Sequence, residues 1–198
     1  MGMMLGKIYV ETPKHQVIQS TDDYEIRKYS PSVIAEVTYD PTQFKGDKDG
    51  GFTVLANYIG AFGNPKNTKP EKIAMTSPVI TKESEKIAMT TPVVTKTAGN
   101  NKLVTMQFIL PSKYTTAEEA PRPVDEQVVI REEGERKYGV VRFSGVANDK
   151  VVTEKVENLK KWLARDGYKV SGDFVLARYN PPWTLPPFRT NEVFIPIE

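Results

Sequence analysis

Two stretches of the chain carry apolar residues at helical spacing, and most of the rest alternates at the period of a strand. In the first, Phe52, Leu55, Ala56 and Ile59 stand at i, i+3, i+4 and i+7, which predicts a helix from Gly51 to Phe62 with Gly63 as its stop. In the second, Val152, Val156, Leu159 and Leu163 form one face, with Lys155, Glu157, Lys160 and Lys161 off it. That pattern predicts a helix from an Asp149 N-cap to Asp166, ended by Gly167. Trp162 borders the apolar face and is expected to pack there.

Short strands are predicted at Tyr24–Tyr29 and Val33–Tyr39, on either side of the turn signal Ser30-Pro31-Ser32. Val128–Arg131 and Tyr138–Phe143 flank a Gly-bearing segment, residues 132–135, that reads as a hairpin loop. Lys72–Thr76 and Leu103–Leu110 follow the first helix; Phe174–Tyr179 and Glu192–Ile197 follow the second. The chain therefore repeats a unit of two strands, a helix and two strands, over about 20–114 and 124–198, joined by a Pro-rich connector, residues 115–123. Two antiparallel halves, each with an open face, cover one another most economically as a single barrel-like core with helices outside. The expected fold class is α+β, a distorted antiparallel β-barrel of two pseudo-twofold ββαββ halves with two flanking helices, in one domain over 1–198.

A tandem repeat interrupts this plan. Residues 71–82 (EKIAMTSPVITK) recur at 85–96 (EKIAMTTPVVTK), with 10 of 12 positions identical and an offset of 14. The offset is even, so a strand shifted by one repeat presents the same side chains to the same face. The copies can compete for one slot in the sheet, with Pro78 and Pro92 holding each to an edge or a strand end. A duplicated binding segment is the functional reading; a duplication tolerated in a loop is the ordinary one.

Composition narrows the chemistry. With no Cys there are no disulfides, thiolate nucleophiles or zinc ribbons, and the single His15 leaves no multi-histidine metal site within one chain. Basic and acidic residues number 27 and 25, for a net charge of +2 without a long basic run, which argues against nucleic acid. No stretch is long and apolar enough for a membrane span, and the first residues lack a basic n-region and cleavage site, so a cytoplasmic location is expected.

The loop around Gly46–Gly51 has the glycine spacing of a phosphate loop, but Phe52 stands where Lys is needed and Asp47 and Asp49 would repel phosphate. The carboxylate pairs Glu118/Glu119 and Glu132/Glu133 fall in predicted connectors, where solvation keeps carboxylates from acting as general acids. Met75 and Met89 offer thioether sulfur, and His15 an imidazole, as candidate iron ligands; core filling and an ordinary surface position are the alternatives. The segment Tyr179–Val193 holds four prolines. A fixed φ lets such a loop present Trp183, Leu185 and Phe188 as a stiff apolar wall, with Arg189 placed to meet an anionic edge. Packing over the end of the barrel is the other reading of the same loop.

Tyr24–Tyr29 (YEIRKY), Lys72–Val79 (KIAMTSPV, or its copy at 86–93) and the terminal Tyr179-Asn-Pro-Pro…Arg189-Thr-Asn-Glu-Val193 together resemble the SOUL family of haem-binding proteins, its soluble plant-type members most of all. The likeness runs over about 10–198, with Tyr58 and Pro121-Arg-Pro123 also in place. It implies the barrel described above and reversible binding of haem and other tetrapyrroles, as a carrier or buffer and not an enzyme. It places the ligand between the first helix and the C-terminal loop, hence Phe52, Leu55, Ala56 and Ile59 on one side and Trp183, Leu185 and Phe188 on the other. Lys28 stands where some members carry a His, and Asn57 and Thr184 stand where others carry basic residues. Lys45, Lys48 and Arg189 are then the expected anion partners. An effector-sensing or protein-interaction module is the alternative on such a barrel, favoured by an acidic residue facing the cleft; a hydrolase or tetrapyrrole-modifying enzyme is the third.

Overall fold

The computed structural model describes residues 5–44, 49–85 and 102–198. Along them run β1 (His15–Ser20), β2 (Glu25–Tyr29), β3 (Ser32–Tyr39), α1 (Gly50–Ile59), β4 (Val79–Glu85), β5 (Lys102–Ile109), β6 (Val128–Glu133), β7 (Arg136–Phe143), α2 (Asp149–Arg165), β8 (Val175–Arg178) and β9 (Asn191–Pro196). The strands form one curled antiparallel sheet in the order β1-β2-β7-β9-β8-β4-β5-β3-β6, a distorted barrel with a helix on the outside of each half.

Residues 132–135 do not close a hairpin. β6 pairs with β3, and β7 pairs with β2. The two short links, 30–31 and 134–135, cross side by side at a corner of the barrel, where Tyr29 lies opposite Arg136 and Ser32 opposite Glu133. Arg136 ties the corner, pairing with Glu133 and donating from Nη2 to Ser32 Oγ at 2.9 Å. Each half therefore lends a strand to the other, a non-local pairing that turn chemistry alone does not specify.

The expected strand at Lys72–Thr76 is absent. Ile73 is buried under α1 and donates its N–H to Ile59 O, and Thr76 meets Glu11 in an isolated bridge and donates its hydroxyl to Ile109 O, outside any ladder. Pro78 has no N–H to offer a ladder, so pairing begins one residue later. The first repeat copy supplies β4, between β5 and β8; the second lies outside the described residues. Helix ends differ by small amounts. α1 stops at Gly60, whose φ of 76° lets its N–H turn back onto the last carbonyls, ahead of the expected Gly63. α2 is capped by Asn148, not Asp149: Asn148 Oδ1 accepts from Val151 N.

Alternation decides what each face of the sheet does. Val33, Ala35 and Val37 of β3 and Val104, Met106 and Phe108 of β5 pack under α1 against Leu55, Tyr58 and Ile59. Val141, Val193 and Ile195 pack under α2 against Val152, Val156, Leu159 and Leu163, and Trp162 stacks on Tyr24 at 6.3 Å. Gly139 lets α2 come close, since a Cβ there would sit 2.7 Å from a Leu163 methyl. The opposite face turns inward, so the main cores lie between sheet and helices. The inner face carries only a small apolar cluster around Tyr29, Ile80 and Phe194. Beside it Arg27 and Glu192 form a buried two-bond ion pair at 3.0 Å, and Glu192 also accepts from Tyr179 Oη at 2.5 Å. Burial and the neighbouring carboxylate push the Tyr179 hydroxyl well above its ordinary range.

Candidate functional site

The C-terminal loop is stiff because its own backbone and side chains brace it. Asn180 Oδ1 accepts from Thr190 N at 2.7 Å, closing the neck, and Ser77 Oγ donates to Tyr179 O at 2.8 Å. Arg189 donates from Nε to Thr184 O at 2.8 Å and from Nη2 to Pro182 O at 2.6 Å, spanning the Pro-rich turn from inside. Thr184 is buried, so the side chains on either side of it point outward: Trp183 is 65% exposed, Leu185 45% and Phe188 46%. The amino-terminal segment lies on the same loop, with Gly6 O accepting from Asn180 Nδ2. Gly6 has a φ of 80° and a Cβ there would meet Phe188 O at 2.2 Å, so no other residue fits without displacing the loop.

The loop and α1 are joined at their bases. Arg178, where β8 ends, donates from Nη1 to Asp49 Oδ2 at 3.0 Å, just ahead of the helix. Of the predicted helix face, Leu55, Ala56 and Ile59 are 0–2% exposed and form the seal between helix and sheet. Phe52 is half-buried, edge-on to Phe108 at 5.4 Å, and is the member of that face that still offers surface. The periodicity that marks a helix marks the side facing its own core first. At the other end of α1, Val54, Asn57, Lys66 and Val124 border a surface depression of about 400 Å³. Lys66 thus brings a cation beside Asn57, which its place outside the helix conceals in the sequence.

Among the described residues, the candidate ligands for iron do not gather here. His15 is exposed on β1 and packs against the Tyr29 ring at 4.9 Å, while Met75 is half-buried in the α1 core. Lys45, Lys48 and Met89 lie outside the described residues. Glu119 is held below the usual carboxylate range by the N–H and hydroxyl of Thr115 and the N–H of Thr116, so it anchors the connector. Tyr58 reaches the same connector, donating to Pro121 O at 2.8 Å.

The SOUL heme-binding protein family matches residues 10–84 and 81–196 of this chain. The chain belongs to the SOUL family. The two matched segments overlap at 81–84, where the first copy ends, so that each holds one copy, as expected if one copy is extra to the shared SOUL plan. Human heme-binding protein 2 is 29% identical over 192 residues, covering 94% of this chain and 85% of the human one. The SOUL barrel also resembles solved structures at far lower identity, which speaks for the fold alone. The C-terminal domain of EcmrR superposes with a TM-score of 0.59 at 9% identity, over 93% of this chain and 98% of that one. A hydrolase from Listeria innocua superposes with a TM-score of 0.55 at 11% identity, over 91% and 94%.

A second concavity of this SOUL chain lies inside the barrel and has no counterpart in the sequence-based expectations. It measures about 320 Å³ and is floored by Tyr29, Ile80, Tyr138 and Phe194. Charged side chains line it too: Glu36, which accepts from Gln107 at 2.6 Å and Arg131 at 2.5 Å, and Arg136 with its partner Glu133. These are the polar positions of alternating strands, which read as solvent-facing until the barrel closes around them.

Proposed function

We propose that this protein reversibly binds haem and related tetrapyrroles, without catalysing a reaction, as a carrier or buffer. One observation carries the reading: in a chain of the SOUL haem-binding family, three apolar side chains stand exposed on a loop held rigid from within. A flat macrocycle would lie against Trp183, Leu185 and Phe188, with Phe52 across from them and Leu55, Ala56 and Ile59 as the packed backing of the helix. Its carboxylates would meet cations, for which Lys45 and Lys48 are the candidates from the sequence and Lys66, beside Asn57, one from the structure, whereas Arg189 already spends Nε and Nη2 on the carbonyls of Thr184 and Pro182.

Magnitudes favour binding through the macrocycle face and not through iron. Covering about 300 Å² of apolar surface contributes roughly 7 kcal/mol at about 25 cal/mol per Å². Exposed propionate–cation pairs add at most about 1 kcal/mol each and weaken with salt. Association and ordering remove several kcal/mol, leaving roughly micromolar affinity. The test is a paired titration with haem and iron-free protoporphyrin, following quenching of Trp162 and Trp183 alongside absorption. Similar micromolar curves are expected. Tight haem binding with a sharp Soret shift and weak porphyrin binding would replace this account with one in which His15, Met75 or Met89 ligates iron. Saturation by neither would remove tetrapyrrole carriage altogether.

An acidic residue facing the ligand would favour the effector-sensing alternative. Glu36 and Glu133 do face the barrel cavity, but each is already paired with an arginine, which disfavours an apolar cation there.

A further inference from the structure

We propose that the barrel interior is a second binding site, separate from the tetrapyrrole surface, for a small amphipathic monoanion: an aromatic body carrying one carboxylate. The cavity of about 320 Å³ corresponds to roughly ten water volumes at about 30 Å³ each. That is the size of a bicyclic aromatic acid and well short of a tetrapyrrole. Its floor is a set of rings. Tyr29 lies edge-on to Tyr138 at 5.9 Å, and Tyr138 and Phe194 are tilted at 5.4 Å. A planar aromatic ligand can pack onto this cluster of rings at little ordering cost.

The sign of the ligand follows from Arg136. Its Nη1 pairs with Glu133 and its Nη2 donates to Ser32 Oγ, but Nε is buried with no acceptor among the described residues. Burial also holds the guanidinium below its ordinary range. A carboxylate beside Arg136 adds a charge-assisted contact to a guanidinium whose donors are not all used. The carboxylates of the wall are spoken for: Glu36 accepts from Arg131 and Gln107, and Glu133 is held by Arg136. Asp173, the remaining acid of the lining, is exposed at the rim, and Lys82 lines the cavity as well. An anion therefore meets Arg136 and Lys82 on the wall, while a cation finds each interior carboxylate already occupied.

The experiment compares three isosteric probes on the full chain by calorimetry and backbone amide spectra: 2-naphthoate, 2-naphthamide and 2-naphthylmethylammonium. Naphthoate is expected to bind about tenfold or more tighter than the amide, the scale of one charge-assisted hydrogen bond. Its shifts should centre on β5, β7 and β9, and protoporphyrin should not compete. Arg136→Gln is expected to erase the preference for the acid while leaving protoporphyrin binding as it was. Should that variant fail to fold, the three-probe series on the unaltered protein decides by itself. Equal affinity for acid and amide, tighter binding of the cation, shifts centred on α1 and the C-terminal loop, or no saturation at millimolar probe would each overturn the proposal.

Discussion

Arg178 and Asp49 join two segments that are 129 residues apart, the end of β8 and the start of α1, with Nη1 and Oδ2 at 3.0 Å. The pair spans the base of the proposed tetrapyrrole cleft and sets how far the Pro-rich loop stands from the helix. Both side chains are partly exposed, so the pair contributes below about 1 kcal/mol to stability. Arg178→Gln is therefore expected to lower protoporphyrin affinity several-fold while shifting Tm by no more than about 4 °C. An unchanged titration would show that the pair does not shape the cleft.

Trp183 and Phe188 give the most direct test of the loop as a binding wall. They are largely exposed, so Trp183→Ala with Phe188→Ala removes little packing and Tm should stay within a few degrees. Truncating two aromatic anchors of a binding surface typically costs more than about 1 kcal/mol each, so affinity for haem and protoporphyrin should fall about tenfold or more. Intact affinity in the double variant would move the ligand elsewhere.

Asp166, at the end of α2, holds the helix to Tyr24, the residue before β2. It accepts from Tyr24 Oη at 2.6 Å and from Arg165 Nε at 2.8 Å, and these bonds lower its pKa from 3.8 to about 2. A carboxylate depressed in the folded state stabilises fully above its unfolded value and loses that contribution as pH falls through the folded one. Stability should therefore decline between about pH 4 and 2 as Asp166 takes up a proton. Urea unfolding of Asp166→Asn should show a shallower decline over that window; parallel curves for the two proteins would exclude Asp166 as a contributor.

The repeat predicts a shorter protein. In the β4–β5 ladder, Glu83, Ser84 and Glu85 face Val104, Leu103 and Lys102. Deleting residues 83–96 joins Lys82 to Thr97 and brings Thr97, Ala98 and Gly99 opposite those partners, with Asn100-Asn101 as a two-residue turn. Two-residue loops are the commonest hairpin connections, and Asn tolerates the positive φ they need. Replacing the connection 86–101 by that turn halves its length three times, worth about 1.8 kcal/mol at about 0.6 per halving. The deletion variant should fold and unfold at higher denaturant than its parent. Loss of stability would mean that the second copy makes contacts the fold needs.

Much of this architecture is legible without coordinates. Period and punctuation locate both helices because a helix must bury one stripe: Leu55 and Ile59, and Leu159 and Leu163, lie under their helices as their spacing requires. The rigid exposed loop is legible for a similar reason, since proline restricts the backbone wherever it stands. Local signals fail where a partner is distant. The Gly in residues 132–135 signals a turn but not that β6 and β7 leave it toward different strands, β3 and β2.

What tertiary structure alone decided is which way each alternating strand faces and what meets across the barrel. Glu36, Gln107 and Arg131 occupy polar positions that any reading of the pattern sends to solvent, yet closure of the sheet gathers them around one cavity. Arg27 and Glu192, 165 positions apart, become a buried pair by the same closure. Sequence periodicity states that a side chain alternates; only the pairing of strands far apart in the chain determines whether the polar side meets water or an interior.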